Sequence, residues 1–404
     1  MRKENVAIIT SGVLPVPAVK GGAVESLIEN FVKQNEDERL INIKVFSVFD
    51  DLAKKASMKY FSSSFIFIKT PKIINLIDKE IYLFAKFILR KKNTNTYSHI
   101  LRRLHFIIGC RKYLKKYDFD KILFENHYTE LLAIRPRSLK EKYKGKIYYH
   151  AHNLPTCAGL IKKELNSITK IICVSSYLEK ATKKVLNLQD NKFSVVRNGI
   201  NENDFHPISE PEVKKVKSYL KLKENDFVIM FAGRMTKEKG IFELIKALQE
   251  LNFNYKFVIV GAQFYGYKSR SVEQDLIEKE LSNISGKCIF TGFVPYNEMN
   301  EMYSVADIVV LPSIWDEPAG LTVIEALKCG KPLITTNSGG IPEYARNCSI
   351  ILNKDDDLPK QIANSLTELH NSRAKRLELS KEALYCSKGF NIENFYNNLC
   401  KALN

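Results

Sequence analysis

Two acidic and two basic residues carry the clearest chemistry in this sequence. Glu317 and Glu325 stand eight positions apart in Trp315-Asp316-Glu317-Pro318-Ala319-Gly320-Leu321-Thr322-Val323-Ile324-Glu325-Ala326. Arg234 and Lys239 stand in Phe231-Ala232-Gly233-Arg234-Met235-Thr236-Lys237-Glu238-Lys239-Gly240. The apolar run before Gly233 reads as a strand, so both cations fall in the loop leaving its C-terminal end. A guanidinium fork and an ammonium point charge placed there suit a diphosphate. An ordinary solvated loop is the alternative, and the position after a strand argues against it. Ala319-Gly320-Leu321-Thr322 opens a helix, whose first N–H groups have no partner within the helix and favour an anion or a hydroxyl. Glu325 lies a turn or so further on, where it could accept hydrogen bonds from a vicinal diol. A solvated helix carboxylate is the alternative; the flanking Val323, Ile324, Ala326 and Leu327 weigh against it. Glu317, in the preceding loop, could bind a sugar hydroxyl or act on a developing charge.

Histidines come next. Phe124-Glu125-Asn126-His127 and Tyr149-His150-Ala151-His152-Asn153 each follow a predicted strand. His127 and His152 are expected to serve a cleft, with simple hydrogen bonds to loops as the alternative. His150 is expected to face elsewhere. Two metal-like patterns are set aside. Asp118-Phe119-Asp120 precedes a strand, at the wrong end of a sheet for a ligand, and reads as a solvated turn. Asp355-Asp356-Asp357 reads as a loop leading into a helix N-terminus. With two cations already available for a diphosphate, no metal and no other cofactor is expected. The patterns HExxH and GxxxxGK[ST] do not occur, which argues against a zinc protease or a P-loop NTPase.

These residues need a framework, and the apolar pattern supplies one. Val6–Thr10, Ile43–Val48, Lys121–Phe124, Lys146–Tyr149, Thr169–Val174 and Phe193–Val196 read as strands, with helical patterns such as Ala23–Asn35 and Arg102–Lys116 between them. The composition turns polar at Asn198–Asp204, and the pattern then restarts. Phe227–Ala232, Lys256–Val260, Cys288–Thr291, Asp307–Leu311 and Pro332–Thr336 read as strands. Glu243–Leu251, Gln274–Leu281, Asn297–Ser304 and Thr322–Cys329 read as the helices between them. Strands alternating with helices mean βαβ units and parallel sheets. The 404 residues therefore read as α/β, with doubly wound domains at 1–201 and 202–389. Phe390–Leu403 is a further helix, packed back on the first domain or capping the second. Such sheets bind ligands beyond the C-terminal ends of their strands, and the simplest site for two of them is a shared cleft.

Charge is distributed unevenly. The net charge is +17, yet residues 1–200 hold 37 Lys/Arg against 18 Asp/Glu, and residues 201–404 are slightly acidic. Residues 51–120 alone carry 16 basic against 5 acidic side chains. An anionic partner is expected there: a nucleic acid, a membrane surface or a phosphorylated substrate. Within that stretch, residues 60–92 interleave Phe, Ile and Leu with lysines and arginines. They read either as a basic amphipathic helix at a membrane interface or as a helix on its own sheet. The eight cysteines show no CxxC and no disulfide framework, as in a reducing compartment. MRKENVAIITSG lacks the apolar core of a signal peptide, and no 18-residue apolar run is free of charge. A cytoplasmic protein, peripheral at the inner face of the membrane, is the expectation.

Taken together, Glu317-x7-Glu325 and Gly233-Arg234-x4-Lys239-Gly240 resemble the motifs of the family 4, group 1 type glycosyltransferases. Gly21-Gly22-Ala23-Val24-Glu25, Val195-Val196-Arg197-Asn198-Gly199-Ile200 and Ser338-Gly339-Gly340-Ile341-Pro342-Glu343 extend the resemblance along the chain. It implies the GT-B fold, two Rossmann-like domains facing across a cleft. It also implies that Arg234 and Lys239 bind the diphosphate of a nucleotide sugar, most often UDP-linked, while Glu325 holds the ribose and Glu317 the transferred sugar. Ala319 and the backbone groups of Gly320, Leu321 and Thr322 would line the same donor site, and Phe293 and Val294 would lie by the base. Gly22 would bring its N–H to the phosphate from the other domain. His127 would stand beside the reacting centre, and His152 with Asn153 on the acceptor side. The implied reaction is retaining transfer of a hexose or N-acetylhexosamine to a hydroxyl of a glycan acceptor, carried on a lipid diphosphate or otherwise, in surface-polysaccharide synthesis.

Two other functions compete. A nucleotide-sugar epimerase of the same fold would need no acceptor and no basic membrane face. A nucleic-acid-binding protein would use the basic charge, but the sequence carries no helix-turn-helix or aromatic–basic module, and the Glu317/Glu325 constellation would have no role.

Overall fold

The computed structural model describes residues 2–87, 99–155, 158–261 and 272–404. The chain divides into two compact units. Unit 1 comprises Met1–Val174, Leu178–Val196 and Tyr396–Asn404, and unit 2 comprises Ser175–Tyr177 and Arg197–Phe395. Each is built on a parallel sheet, the Rossmann-like α/β architecture that the strand–helix alternation predicts.

Unit 1 contains β1 (Asn5–Ile9), β2 (Asn42–Val48), β3 (Ser63–Ile68), β4 (Lys121–Glu125), β5 (Ile147–Ala151), β6 (Lys170–Cys173) and β7 (Phe193–Val195). They lie in the order β3-β2-β1-β4-β5-β6-β7. Strands covered on both faces have no polar side, and Val6, Ala7, Ile8 and Ile9 of β1 are all fully buried. The expectation of one helix across residues 60–92 is corrected here. Ser63–Ile68 is the edge strand, paired with β2 from Ile43 to Val48, and the helix begins only at Lys72. The aromatic and β-branched run Phe65-Ile66-Phe67-Ile68 prefers a pleated, half-buried surface, which is what a sheet edge provides. The rest of that stretch, from residue 88 to 92, lies outside the described residues.

Unit 2 contains β8 (Val228–Ala232), β9 (Lys256–Val260), β10 (Lys287–Gly292), β11 (Ile308–Leu311), β12 (Leu333–Thr336) and β13 (Ile350–Leu352), in the order β10-β9-β8-β11-β12-β13. Alternate residues of its strands enter opposite cores. Val228, Met230, Val258, Val260 and Val309 pack on one side. Ile229, Phe231, Phe257, Ile259 and Val310 pack on the other. The second core is completed by Ile362, Leu366 and Leu369 of the helix Leu358–Asn371, which begins directly after Asp355-Asp356-Asp357, the run read as a loop leading into a helix N-terminus.

The helix Ile392–Leu403 carries its last part into unit 1. Tyr396 Oη donates to Asn35 Oδ1 at 2.6 Å, and its ring lies 5.0 Å from that of Phe31. In both sheets the order reverses beside the first strand, between β1 and β4 and between β8 and β11. Loops leaving these strands at their C-terminal ends border the usual ligand crevice of such sheets. No helix among the described residues is long and apolar enough to cross a membrane.

Candidate functional site

In unit 2 the loops after β8 and β11 are bound to each other. The Glu238 carbonyl accepts the N–H groups of Ile314 at 3.1 Å and Trp315 at 3.2 Å. Across this seam Lys239 Nζ pairs with Glu317 Oε1. Ser313 Oγ lies 2.9 Å from the same carboxylate oxygen. Arg234 pairs with Glu238, Nη2 to Oε1 at 2.5 Å, so both expected diphosphate ligands carry a carboxylate partner. Arg234 is the more open of the two, with 39% of its side chain exposed against 24% for Lys239. The Glu317 backbone is held from below: its carbonyl accepts the Gly340 N–H at 2.7 Å. Gly339, at φ 60°, passes so close that a Cβ there would stand 2.3 Å from the Glu317 carbonyl oxygen. Only glycine fits that conformation and that approach without strain.

The helix Leu321–Lys328 follows directly. Its first internal bond runs from the Ile324 N–H to the Gly320 carbonyl at 3.1 Å. The N–H groups of Leu321, Thr322 and Val323 therefore stand outside the helix's own ladder. Ala319 and Leu321 pack against the core beneath. Glu325 is buried, and the Tyr303 hydroxyl donates to its Oε2 at 2.9 Å. Burial pushes the Glu325 carboxyl up to about 7, although the Tyr303 bond pulls it down. An uncharged or half-charged acid of this kind is not a solvated helix carboxylate, in line with the apolar residues that flank it. Beyond β10, Phe293 is half exposed, while Val294 packs on the core.

In unit 1 the remaining predicted residues also follow strand ends. Gly22 lies in the connection after β1, at φ 108°. A Cβ there would meet Glu25 Oε2 at 2.3 Å. Glu25 is itself buried and accepts from Ser11 Oγ at 2.9 Å. Burial raises it to about 6, the Ser11 bond offsetting part of this and the charge of Glu125 adding to it. His127 follows β4 and is half-buried. Burial, with Arg103 nearby, lowers it to about 4, so it is neutral at pH 7. Asn153 is exposed and donates from Nδ2 to Asn126 Oδ1 at 2.9 Å.

The expectation that His150 faces elsewhere is wrong. His150 and His152 both reach Glu125, at 3.1 and 2.9 Å from its Oε2, with their rings 4.2 Å apart. Residues two apart on a strand share a face, and the reading overlooked that period. Among the described residues these three are the one cluster of His, Cys, Asp and Glu able to hold a metal ion. Asp118 is an exposed partner of Lys142 at 2.9 Å. Asp120 accepts the Asn5 N–H at the start of β1, at 2.8 Å.

The predicted residues thus fall into two groups, one at the strand ends of each unit. Sequence reasoning missed Ser313, Tyr303, Glu25 and Glu125 as their partners. Glu125 had a visible signal, since a carboxylate closing a buried strand requires a nearby donor. Tyr303, 22 positions from Glu325, had none. The sequence points to 263–267, with Trp315–Thr322, as shaping the pocket that sets specificity, and 263–267 lie outside the described residues.

Comparison with known proteins follows the same division. The family Glycosyl transferases group 1 matches residues 213–384, and Glycosyltransferase Family 4 matches residues 77–204. Spore coat protein SA of Bacillus subtilis is 26% identical over 396 residues, 93% of each chain. The lipopolysaccharide 1,2-N-acetylglucosaminetransferase of Salmonella typhimurium is 28% identical over 52% of this chain and 53% of its own. A glycosyltransferase from Rickettsia africae shares the fold, with TM-score 0.74 at 18% identity over 100% of this chain and 98% of that one. So does Anabaena HepE, solved with UDP and glucose, with TM-score 0.72 at 17% identity over 100% and 99%.

Proposed function

We propose that this chain, whose residues 213–384 and 77–204 match Glycosyl transferases group 1 and Glycosyltransferase Family 4, transfers a hexose or N-acetylhexosamine from a UDP-sugar to a glycan hydroxyl, with retention at the anomeric carbon. The observation that carries the reading is the seam of unit 2, where Lys239 and Ser313 meet at Glu317, Arg234 pairs with Glu238 beside Lys239 in sequence, and the helix bearing Glu325 follows Glu317. Relatives named for sugar transfer to lipopolysaccharide, and a neighbour of the same fold that binds UDP and glucose, support it.

Departure of the nucleotide leaves negative charge on the β-phosphate. Arg234, Lys239 and the free N–H groups at Leu321 and Thr322 stabilise that charge where it develops. Loss of one such donor costs about 3 kcal/mol, a hundredfold or more in rate. Two side-chain cations and a helix N-terminus perform the task a metal performs elsewhere, so the proposed chemistry is metal-independent. The diphosphate competes with Glu238 for Arg234. Once Lys239 turns to phosphate, Glu317 is released to accept from a sugar hydroxyl. Glu325 receives the ribose hydroxyls, and Phe293 and Val294 flank the base. In unit 1, His127, His152 and Asn153 serve the acceptor. The acceptor hydroxyl attacks from the face the nucleotide leaves, and the departing phosphate takes its proton.

A basic, partly apolar surface supports a membrane-bound acceptor such as a lipid diphosphate. The helix Lys72–Phe87 exposes Ile73, Leu76, Ile77 and Phe84, and its neighbour Ile100–Lys116 exposes Ile100, Leu104 and Ile108. Buried Asp78 joins the two helices by accepting the Leu101 and Arg102 N–H groups at 2.8 and 2.9 Å. Apolar side chains among lysines favour an anionic interface.

Thermal shift against a panel of nucleotide sugars tests the reading, followed by their slow hydrolysis without acceptor. A ligand that binds only the folded state raises the melting temperature. Stabilisation by one UDP-sugar, lost in Lys239→Ala, is the expected result. Silence toward every nucleotide and nucleotide sugar would remove the donor site, and release of a free sugar epimer would favour the epimerase.

A further inference from the structure

Glu125, His150 and His152 form a buried cluster that the proposed reaction only partly uses. Glu125 closes β4, and the register sets it beside His150 of β5. Their side chains are 3%, 1% and 6% exposed, respectively. One carboxylate oxygen, Oε2, receives both rings, from His150 Nδ1 at 3.1 Å and from His152 Nε2 at 2.9 Å. An ionised carboxylate only accepts hydrogen bonds. Both facing nitrogens therefore carry hydrogen, on Nδ1 of His150 and on Nε2 of His152. The two rings outweigh the burial that would raise Glu125 and hold it at about 2, so it is ionised at pH 7. Burial and the neighbouring His150 bring His152 down to about 4 against the pull of Glu125, so that ring is neutral. A neutral imidazole with hydrogen on Nε2 has an acceptor lone pair on Nδ1. His152 directly follows Ala151, the last residue of the buried strand β5, and precedes exposed Asn153.

We propose that Glu125 is a positioning residue, whose carboxylate fixes His152 as the Nε2–H tautomer and keeps Nδ1 as the hydrogen-bond acceptor for a hydroxyl of the sugar acceptor. The proposal rests on the reading of His152 as an acceptor-side residue. It gives the pair a division of labour: His152 meets the hydroxyl, and Glu125 never touches it. A neutral amide at position 125 would present one acceptor and one donor group to the two rings. His152 could then hold its hydrogen on either nitrogen, and a ring turned to Nδ1–H offers the hydroxyl a donor where it needs an acceptor. A transition-metal ion held by the same three side chains is the rival arrangement, because it would replace both bridging hydrogens.

The test uses the full chain labelled with nitrogen-15 in histidine, with the His152 signal identified from the spectrum of His152→Asn. The expected wild-type spectrum at pH 7 shows His152 as the Nε2–H tautomer, and Glu125→Gln mixes the tautomers. Transfer from the UDP-sugar chosen by the donor panel to glycerol, a surrogate hydroxyl, should fall about 10- to 100-fold in Glu125→Gln, the loss typical of removing a partner that orients a functional imidazole. The KM for the UDP-sugar should stay within about twofold, and Glu125→Asp should recover part of the rate. An Nδ1–H or doubly protonated His152 in the wild type overturns the proposal without any variant, even should Glu125→Gln fail to fold. A stoichiometric metal found by elemental analysis of the purified chain, or unchanged transfer in a folded Glu125→Gln, also overturns it. Failure of the donor panel would instead count against the transferase reading, since the tautomer is read without substrate.

Discussion

Lys239 and Glu317, 78 residues apart in sequence, form a partly buried ion pair that joins the loops leaving β8 and β11. Each therefore has a partner to lose as well as a ligand to bind. Truncating one member leaves the other charge with little water to replace it, which costs more than the pair contributes. Lys239→Ala should lower UDP-sugar turnover by a hundredfold or more. It should also destabilise unit 2 by about 1–3 kcal/mol in urea unfolding. The double variant Lys239→Ala/Glu317→Ala should be less destabilised than the sum of the two singles. Additive effects would mean that the two residues act independently.

Glu325 makes stability depend on pH. Its folded value of about 7 lies above the ordinary glutamate value of 4.5, so the folded state binds more protons between those values. Stability is fully present below the lower value and falls as pH rises toward the upper one. Glu325→Gln removes this dependence. Relative to wild type, the variant should gain stability between pH 4.5 and pH 7, by up to about 3 kcal/mol. Urea melts at pH 5 and pH 7.5 measure it; parallel curves for the two proteins would contradict the burial argument.

The same acid should tune donor affinity. Ribose hydroxyls donate hydrogen bonds, and an ionised carboxylate accepts them better than a protonated one. Binding of a UDP-sugar, which has no phosphate titrating near neutrality, should tighten from pH 6 to pH 8. Tyr303→Phe removes a bond that favours the charged form, so it should move this transition to higher pH. Calorimetric titration across that range decides the point, and a flat profile would separate Glu325 from the ribose.

Gly339→Ala tests the support under Glu317. The new methyl would need a strained φ of 60° and would stand 2.3 Å from a carbonyl oxygen. Loss of donor affinity together with about 1–3 kcal/mol of stability is expected. An unchanged thermal shift with UDP-sugar would show that the position of Glu317 does not depend on this glycine.

Exposed apolar side chains on the helix Lys72–Phe87 predict membrane association. Sedimentation with phosphatidylglycerol vesicles should capture the chain, and phosphatidylcholine vesicles should capture much less. Salt should weaken the binding, and Ile73→Ser/Leu76→Ser/Phe84→Ser should abolish it while donor-induced stabilisation persists. Equal capture by both lipids would remove the electrostatic part of the argument.

Much of the fold was legible because strands buried on both faces leave long apolar runs. Val6–Thr10 and Phe227–Ala232 read almost as they fold, at Asn5–Ile9 and Val228–Ala232. The edges were harder. β3 begins with two serines, and β13 has only three residues, so neither shows the run of a central strand. In the candidate site, residue types and their place after strands were readable, but partners were not. Nothing local to Glu325 announces Tyr303, because the contact is made by tertiary packing. The misreading of His150 came with a strand ended too early, at Tyr149, whereas β5 runs on to Ala151 and carries the period of two through His150.

The path of the chain sets an order of events during synthesis. Unit 2 is inserted into unit 1, since Arg197–Phe395 is bracketed by segments of the other unit. Phe31 and Asn35 must wait some 360 residues for Tyr396. At roughly 5–20 residues per second on the ribosome, that delay is on the order of tens of seconds. Until then the helix Ala23–Glu38 lacks that cover over Phe31, and a chaperone that shields such surface has that interval in which to act.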